Sequence, residues 1–316
     1  MKKILNSVLE AVGETPLVLL NRMAAGLPGR VAVKLEAANP GASMKDRPSV
    51  RIILQAEKSG ALGKGQTVIE RTSGNMGTGL AIACAVTGHP LVALMSAGNS
   101  MERVRMLRAL GAKVIRVPQV DGKPGQVTGR DLQAVELETL ALQKKLGAFR
   151  ADQFTNPEVV KAHYLGTGRE IWQQTDGEVA MFTSVTGSSG MFTGVVSYLK
   201  KRKPSVQAFA AEPLNAAILS GKVKKPGRHK LQGVGYASVP ALFDPAICDG
   251  YLQITDKEAA QTARELAAKE GIFGGYTSGA NVAAALRLAR DARKGQLIVT
   301  IVCDSGLKYL STDLYP

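Results

Sequence analysis

Cysteine is scarce in this chain. Cys84, Cys248 and Cys303 are the only three among 316 residues, they lie far apart, and no CxxC pair occurs. That excludes a disulfide framework and a cysteine-built zinc site. Cys84 and Cys303 sit in apolar segments and read as buried structural thiols. Histidine is as rare: His89, His163 and His229 show no ligand spacing, so no metal is expected and each reads as structural. Aromatic residues make up 5% of the chain, and none is interleaved with the two basic runs, 200–203 and 222–230. Nucleic-acid binding is therefore not expected, although 40 basic against 26 acidic residues give a net charge of +14. Such a surface can equally draw in small anions. No apolar run approaches the ~20 residues that span a bilayer, so no membrane partner is expected. The start, Met1-Lys2-Lys3-Ile4-Leu5-Asn6, lacks the apolar core and small-residue cleavage site of a secretory signal, which predicts a cytoplasmic protein.

What is present is an ordinary globular balance, with 45% hydrophobic and 21% charged residues. The length suits about two domains. Short β-rich runs alternate with longer amphipathic ones. Strands are predicted over 31–36, 66–70, 91–95, 113–117, 179–185, 207–211, 252–255 and 296–302. Helices are predicted over 47–58, 74–86, 101–110, 132–146, 158–173, 191–201, 257–270 and 281–292. Residues 121–129 carry Gly122, Pro124, Gly125 and Gly129 and read as a loop. Continuous apolar strands between helices indicate parallel sheets covered on both faces, so the fold class is α/β.

In open α/β sheets, ligands bind beyond the carboxyl ends of the strands. Three such junctions are rich in small residues. In Asn39-Pro40-Gly41-Ala42-Ser43-Met44-Lys45-Asp46-Arg47, a lysine stands at a helix start. The positive end of a helix disfavours its ammonium form and favours a nucleophilic amine; a solvated lysine in a capped turn fits the same residues. Thr72-Ser73-Gly74-Asn75-Met76-Gly77 offers hydroxyls and backbone N–H groups to a carboxylate, or is an ordinary N-cap. Thr186-Gly187-Ser188-Ser189-Gly190-Met191 can wrap a phosphate at the next helix N-terminus. It is neither a P-loop nor a GxGxxG fingerprint.

Together these segments resemble the cysteine synthase and cystathionine β-synthase family, the tryptophan-synthase-β-like (fold type II) pyridoxal-phosphate enzymes. The resemblance runs from Gly13-Glu14-Thr15-Pro16-Leu17 to Asp304-Ser305-Gly306-Leu307-Lys308-Tyr309-Leu310. Between these lie the three loops, Gln153-Phe154-Thr155-Asn156-Pro157, Gly168-Arg169-Glu170-Ile171-Trp172, Gly233-Val234-Gly235-Tyr236 and Glu270-Gly271-Ile272-Phe273. It implies two open, mostly parallel-sheet α/β domains with pyridoxal 5'-phosphate in the cleft between them. Residues 1–36 and 151–316 would form the larger, phosphate-binding domain, and 37–150 a smaller mobile one that closes over the substrate. A homodimer is implied as well.

Residue by residue, the resemblance implies that Lys45 forms the Schiff base and acts as general base over Cα. Asn75 would bond the cofactor ring oxygen, and Gly187, Ser188, Ser189, Gly190 and Met191 would cradle its phosphate. Ser305, rather than its neighbour Asp304, would face the pyridine nitrogen; a hydroxyl there keeps the ring neutral and favours elimination over transamination. Thr72, Ser73, Gly74, Asn75 and Gln153 would hold the substrate carboxylate, with Gly235 and Tyr236 beside the substrate. The implied reaction is a β-replacement on an activated serine through an aminoacrylate, with ping-pong kinetics. Sulfide as nucleophile and O-acetylserine as donor, giving cysteine and acetate, is the leading expectation. Alternatives are cystathionine β-synthesis from homocysteine, coupling of a serine derivative to an amine, or an inactive homologue acting as a binding protein. The chain departs from the family pattern at Arg71, where Pro is usual, and at Met76 and Met191, where Thr is usual. Losing the Met191 hydroxyl would cost about 1.5–3 kcal/mol of phosphate binding unless Ser188 and Ser189 compensate.

Overall fold

A computed structural model describes residues 4–123 and 125–315. Met1, Lys2 and Lys3 of the N-terminal reading, and Pro124 of the 121–129 loop, lie outside the described residues. In chain order the strands are β1 Leu17–Leu19, β2 Arg30–Leu35, β3 Val68–Arg71, β4 Leu91–Ser96, β5 Lys113–Val117, β6 Phe149–Arg150, β7 Val179–Val185, β8 Gln207–Pro213, β9 Gly250–Ile254 and β10 Leu297–Val302. The α-helices are α1 Asp46–Ser59, α2 Asn75–Thr87, α3 Met101–Ala109, α4 Gly129–Leu146, α5 Pro157–Ala162, α6 Arg169–Gln174, α7 Gly190–Arg202, α8 Asp256–Glu270 and α9 Tyr276–Asp291.

The chain forms two compact α/β units, with boundaries at Met44/Lys45 and Val159/Val160. Lys45–Val159, with the segment ending at Val12, makes one unit; Gly13–Met44 and the stretch from Val160 make the other. The first holds a four-stranded sheet in the order β5-β4-β3-β6, parallel throughout. The second holds a six-stranded sheet in the order β1-β2-β10-β7-β8-β9. All its pairs are parallel except β1 with β2. β4 and β10 are buried along their whole length, as continuous apolar strands under helices should be. The small-residue helix α2 is buried on nearly every side.

Local chemistry sets the ends. Thr128 with Asp131, and Thr255 with Glu258, form reciprocal capping boxes at α4 and α8. The Asp131 carboxylate also accepts from Val120 N at 2.7 Å, and these amides hold it well below the usual carboxylate range. The basic run at 200–203 closes α7, where cations oppose the helix dipole, and Lys200 pairs with Asp249 at 2.7 Å.

Some features departed from expectation. β1 and β6 are too short to carry a period. The helix expected over 158–173 is broken by a π turn, His163–Gly168. There the backbones run close to α7: a Cβ on Gly194 would strike Val160 O, and one on Gly168 would lie 2.9 Å from Tyr198 Cβ. The helix expected at 281 starts at Tyr276, because Gly279 serves packing rather than termination; a Cβ there would run into Ala259 O of α8.

The ion pair between Lys34 and Glu170 lies wholly inside. Lys34 of β2 is fully buried and meets Glu170 of α6 at 2.7 Å, and its ammonium also donates to Thr15 O (2.6 Å) and Gln174 Oε1 (2.8 Å). Removing one partner of such a pair strands a buried charge. Lys34→Met should therefore lower the unfolding free energy by about 3–5 kcal/mol in urea denaturation, and adding Glu170→Gln should restore part of the loss.

Candidate active site

Each sheet has one point where the strand order reverses, and loops from neighbouring strands there diverge and leave a crevice. In the four-stranded sheet this point lies between β3 and β6. β3 runs into Thr72-Ser73-Gly74-Asn75, and β6 runs into Ala151-Asp152-Gln153. In the six-stranded sheet it lies between β10 and β7. β7 runs into Thr186–Met191, and β10 into Cys303-Asp304-Ser305. The site residues expected from sequence thus gather in two groups, one in each unit.

In the first unit, Thr72 N donates to Leu94 O at 2.9 Å, and Thr72 Oγ1 accepts from Gly77 N at 2.9 Å. This folds the loop back over the start of α2, with Gly74 as its N-cap and Asn75 as its first residue. The first amides of a helix have no intrahelical acceptor and form an anion site. Ser73 Oγ accepts from Arg103 Nη1 of α3 at 3.3 Å, which adds a cation beside the loop. Met76, where the family has Thr, is buried; Ser49 Oγ lies 3.4 Å from its sulfur and donates to its carbonyl at 3.3 Å. The departure is thus a packing change inside α1 and α2. Lys45 is the half-buried N-cap residue of α1, and its carbonyl accepts from Ser49 N at 3.1 Å.

Beneath this loop lies Glu70, which the sequence reading passed over. It is buried in β3, and one carboxylate oxygen accepts from Asp152 N at 2.8 Å. Burial pushes its pKa up from the usual 4.5 to about 7, against the Asp152 and Gln153 amides and the Arg150 guanidinium, which favour the anion. The available signal was an acidic residue ending an apolar strand, Thr67-Val68-Ile69-Glu70, next to a candidate loop. Arg71 points to the other face. It meets Glu136 of α4 at 3.2 Å and lies 5.3 Å from the centre of the Phe154 ring.

In the second unit, the turn after β7 leads straight into α7. Gly187 passes so close to the 233 carbonyl that no Cβ fits. Ser189 caps α7 in the left-handed region, φ 66°, and is 3% exposed. Its Oγ has no hydrogen-bond partner among the described residues. An unsatisfied buried hydroxyl at a helix N-terminus suits a bound anion that completes it. Ser188 and Gly190 are buried beside it, while the Met191 side chain packs into the core with Phe182, Phe192 and Val195. The Met191 side chain is thus committed to the core, while its backbone stands in the first turn of α7.

The residues after β10 are fixed against the segment before Lys45. Met44 N donates to Cys303 O at 2.9 Å, Ser305 N to Ala42 O at 3.3 Å, and Lys308 Nζ to Gly41 O at 2.7 Å. Ser305 Oγ accepts from Leu307 N at 3.2 Å. Its hydroxyl hydrogen has no acceptor among the described residues, so it can donate to a ligand. The adjacent Asp304 carboxylate accepts from Tyr309 OH at 2.9 Å. Gly235 has φ 68°, and a Cβ there would collide with His229. With Tyr236, Thr186, Gly187, Glu212 and Ser238 it lines a small surface pocket.

The thiols lie outside these groups' chemistry. Cys84 is buried in α2, and burial pushes its thiol up to about 12. Among the described residues, no cluster of three or more His, Cys, Asp and Glu could hold a metal ion. Among them, too, no helix is long and apolar enough to cross a membrane.

Residues 8–304 match the family model described as "Pyridoxal-phosphate dependent enzyme". The chain is 42% identical to "Cysteine synthase 3" of Caenorhabditis elegans, over 97% of this chain and 88% of that protein. Its fold superimposes on O-acetyl serine sulfhydrylase isoform 3 of Entamoeba histolytica with a TM-score of 0.92. That match has 37% identity and covers 99% of this chain and 92% of the other. It superimposes on an O-ureido-L-serine synthase with a TM-score of 0.91, at 38% identity, covering 99% and 95%.

The Glu70 carboxyl binds its proton more tightly in the folded chain than in the unfolded one. Its contribution is therefore most favourable below pH 4.5 and is lost as pH rises through 7. Glu70→Gln cannot lose that proton. Relative to the parent, its unfolding free energy should gain about 3 kcal/mol between pH 4.5 and pH 8, by paired urea titrations.

Proposed function

The chain belongs to the family of pyridoxal-phosphate dependent enzymes, and from that premise we propose that it catalyses β-replacement on an activated serine, joining O-acetylserine and sulfide to give cysteine and acetate. The buried Ser189 hydroxyl at the head of α7, without a partner among the described residues, carries the reading, because it leaves an unmet hydrogen bond beside a helix N-terminus that favours an anion such as a phosphate. The full-length likeness to cysteine synthases supplies the substrate class.

The residues present fit the cofactor. The amides and hydroxyls of Gly187 to Met191 would hold its phosphate, Ser305 would donate to its ring nitrogen, and Asn75 would bond its ring oxygen. When bound, pyridoxal phosphate supplies the electron sink that makes a Cα proton removable and lets a β-substituent leave. The amine of Lys45 anchors it, then takes the Cα proton and later returns it. The Thr72–Asn75 amides and hydroxyls, with Gln153, orient the amino acid by its carboxylate, so that the Cα–H bond faces the base. Gly235 and Tyr236, which line a small pocket, would lie beside the substrate. With a hydroxyl rather than a carboxylate at 305, ring protonation is not favoured, which steers the reaction toward elimination and addition.

The likeness to O-ureido-L-serine synthase favours a second reading, in which the same serine donor meets a nucleophile other than sulfide. Homocysteine, as in cystathionine β-synthesis, belongs to that reading. We place the enzyme in the cytoplasm as a homodimer on family resemblance.

Purified protein loaded with pyridoxal phosphate should convert O-acetylserine and sulfide to equal amounts of cysteine and acetate. Lys45→Ala should keep its fold by circular dichroism and lose at least about 10³-fold in turnover. Acetate release without cysteine, restored as product by a different nucleophile, would move the assignment to the second reading. Undiminished turnover by Lys45→Ala would sink the mechanism.

A further inference from the structure

We infer that Glu70 and Arg71 are a pair of positioning residues that grip the chain on either side of Gln153 and so set where a substrate carboxylate is held. The inference rests on the assignment of Gln153 as a carboxylate contact.

β3 and β6 pair only at Val68 with Phe149 and Ile69 with Arg150; beyond this, Ala151 N donates to Ile69 O at 3.4 Å and the ladder ends. Asp152 then takes φ 47°, a left-handed conformation that a non-glycine residue adopts at a cost. The Asp152 side chain is spent locally, on Thr155 Oγ1 at 2.5 Å. Its amide, instead of finding a strand partner, donates to the buried Glu70 carboxylate at 2.8 Å. The Gln153 backbone also bears on that carboxylate. In its ionised form the carboxylate accepts this bond more strongly than a neutral group would, and the bond holds the strained residue in place.

The other half of the grip comes from the opposite face of β3. Successive strand residues point to opposite sides, so Arg71 turns toward α4. There Glu136 holds its guanidinium, Leu132 O accepts from Nη1 at 3.4 Å, and Phe154 lies against it. Glu136 is shared with Arg150 at 2.6 Å, which fixes the end of β6 as well. Gln153 is thus the one residue between two fastened neighbours. It lies at the same sheet end as Thr72, two residues along the chain from Glu70. Arg71 stands where the family usually has Pro, which lacks a side chain able to cover Phe154.

Amide hydrogen exchange and steady-state kinetics test this together. Glu70→Leu should speed exchange at residues 152–154 and raise KM for O-acetylserine about tenfold, with kcat within about twofold; Glu70→Gln, which keeps an acceptor, should recover most of both. Arg71→Met, on the other face, should raise KM about threefold. Gln153→Ala alone should cost about tenfold, and in that background neither Glu70→Leu nor Arg71→Met should add to it. Unchanged exchange at 152–154 in Glu70→Leu, or effects that multiply in full with Gln153→Ala, would overturn the inference alone. If Gln153→Ala leaves KM unaltered, the carboxylate reading of Gln153 falls and the inference falls with it.

Discussion

Everything in the larger unit's site depends on one buried amide. β10 and β7 pair through Leu297, Ile298 and Val299, with a register shift, and then part. The gap is closed by Asn281 of α9, whose Oδ1 accepts from Val185 N at 2.6 Å while its Nδ2 donates to Ile301 O at 2.8 Å. Thr300 Oγ1, donating to Thr183 O at 2.7 Å, supplies a further side-chain rung. Parallel strands that separate before their ends leave backbone groups without partners, and buried ones must be satisfied. The Asn281 amide, with a donor and an acceptor on one planar group, does this without pulling the strands back together. The strand ends that lead to the Ser188–Ser189 turn and to Ser305 are therefore not paired with each other. The four-stranded sheet meets the same problem at its own reversal point with Glu70, which takes the amide that β6 can no longer offer to β3. Two unrelated side chains thus do one structural job, and each lies directly behind a loop proposed to bind ligand.

The anion site proposed in the second unit has no lysine or arginine in its turn. Gly187, Ser188, Ser189, Gly190 and Met191 offer backbone N–H groups, two hydroxyls and the head of a thirteen-residue helix. Such a site discriminates by shape and donor direction more than by net charge. A site of this kind would keep its main-chain donors through the two departures at Met76 and Met191. Met191 and Met76 both turn inward, one into the main core and the other against Ser49, so each changes packing while the main-chain donors of its loop stay in place.

Much of this was legible in the sequence. The alternation of apolar strands and amphipathic helices gave the α/β class, and the small-residue junctions marked loops that do stand at strand carboxyl ends. What escaped has physical causes. β1 and β6 have three and two residues, too few for a period to show. The π turn at 163–168 and the early start of α9 arise from glycines used for close helix contact, which local reading takes for breaks or termini. Glu70 and Asn281 were invisible for another reason. Their partners lie 82 and 96 positions away in the chain for the main-chain amides they accept, and no spacing rule reaches that far.

A buried carboxylate with its proton affinity raised to about 7 also shapes how this protein can change. At neutral pH the fold carries a partly charged group where an uncharged one would sit more comfortably. Selection for heat tolerance alone would therefore find substitutions at position 70 early, since stabilising changes are most accessible where function holds a residue against the preference of the fold. Apolar variants gathered that way would be sturdier and, lacking an acceptor, would hold the Asp152–Gln153 turn less firmly. Position 70 is thus where an engineering campaign on this scaffold would first have to choose between endurance and the order of its binding loop.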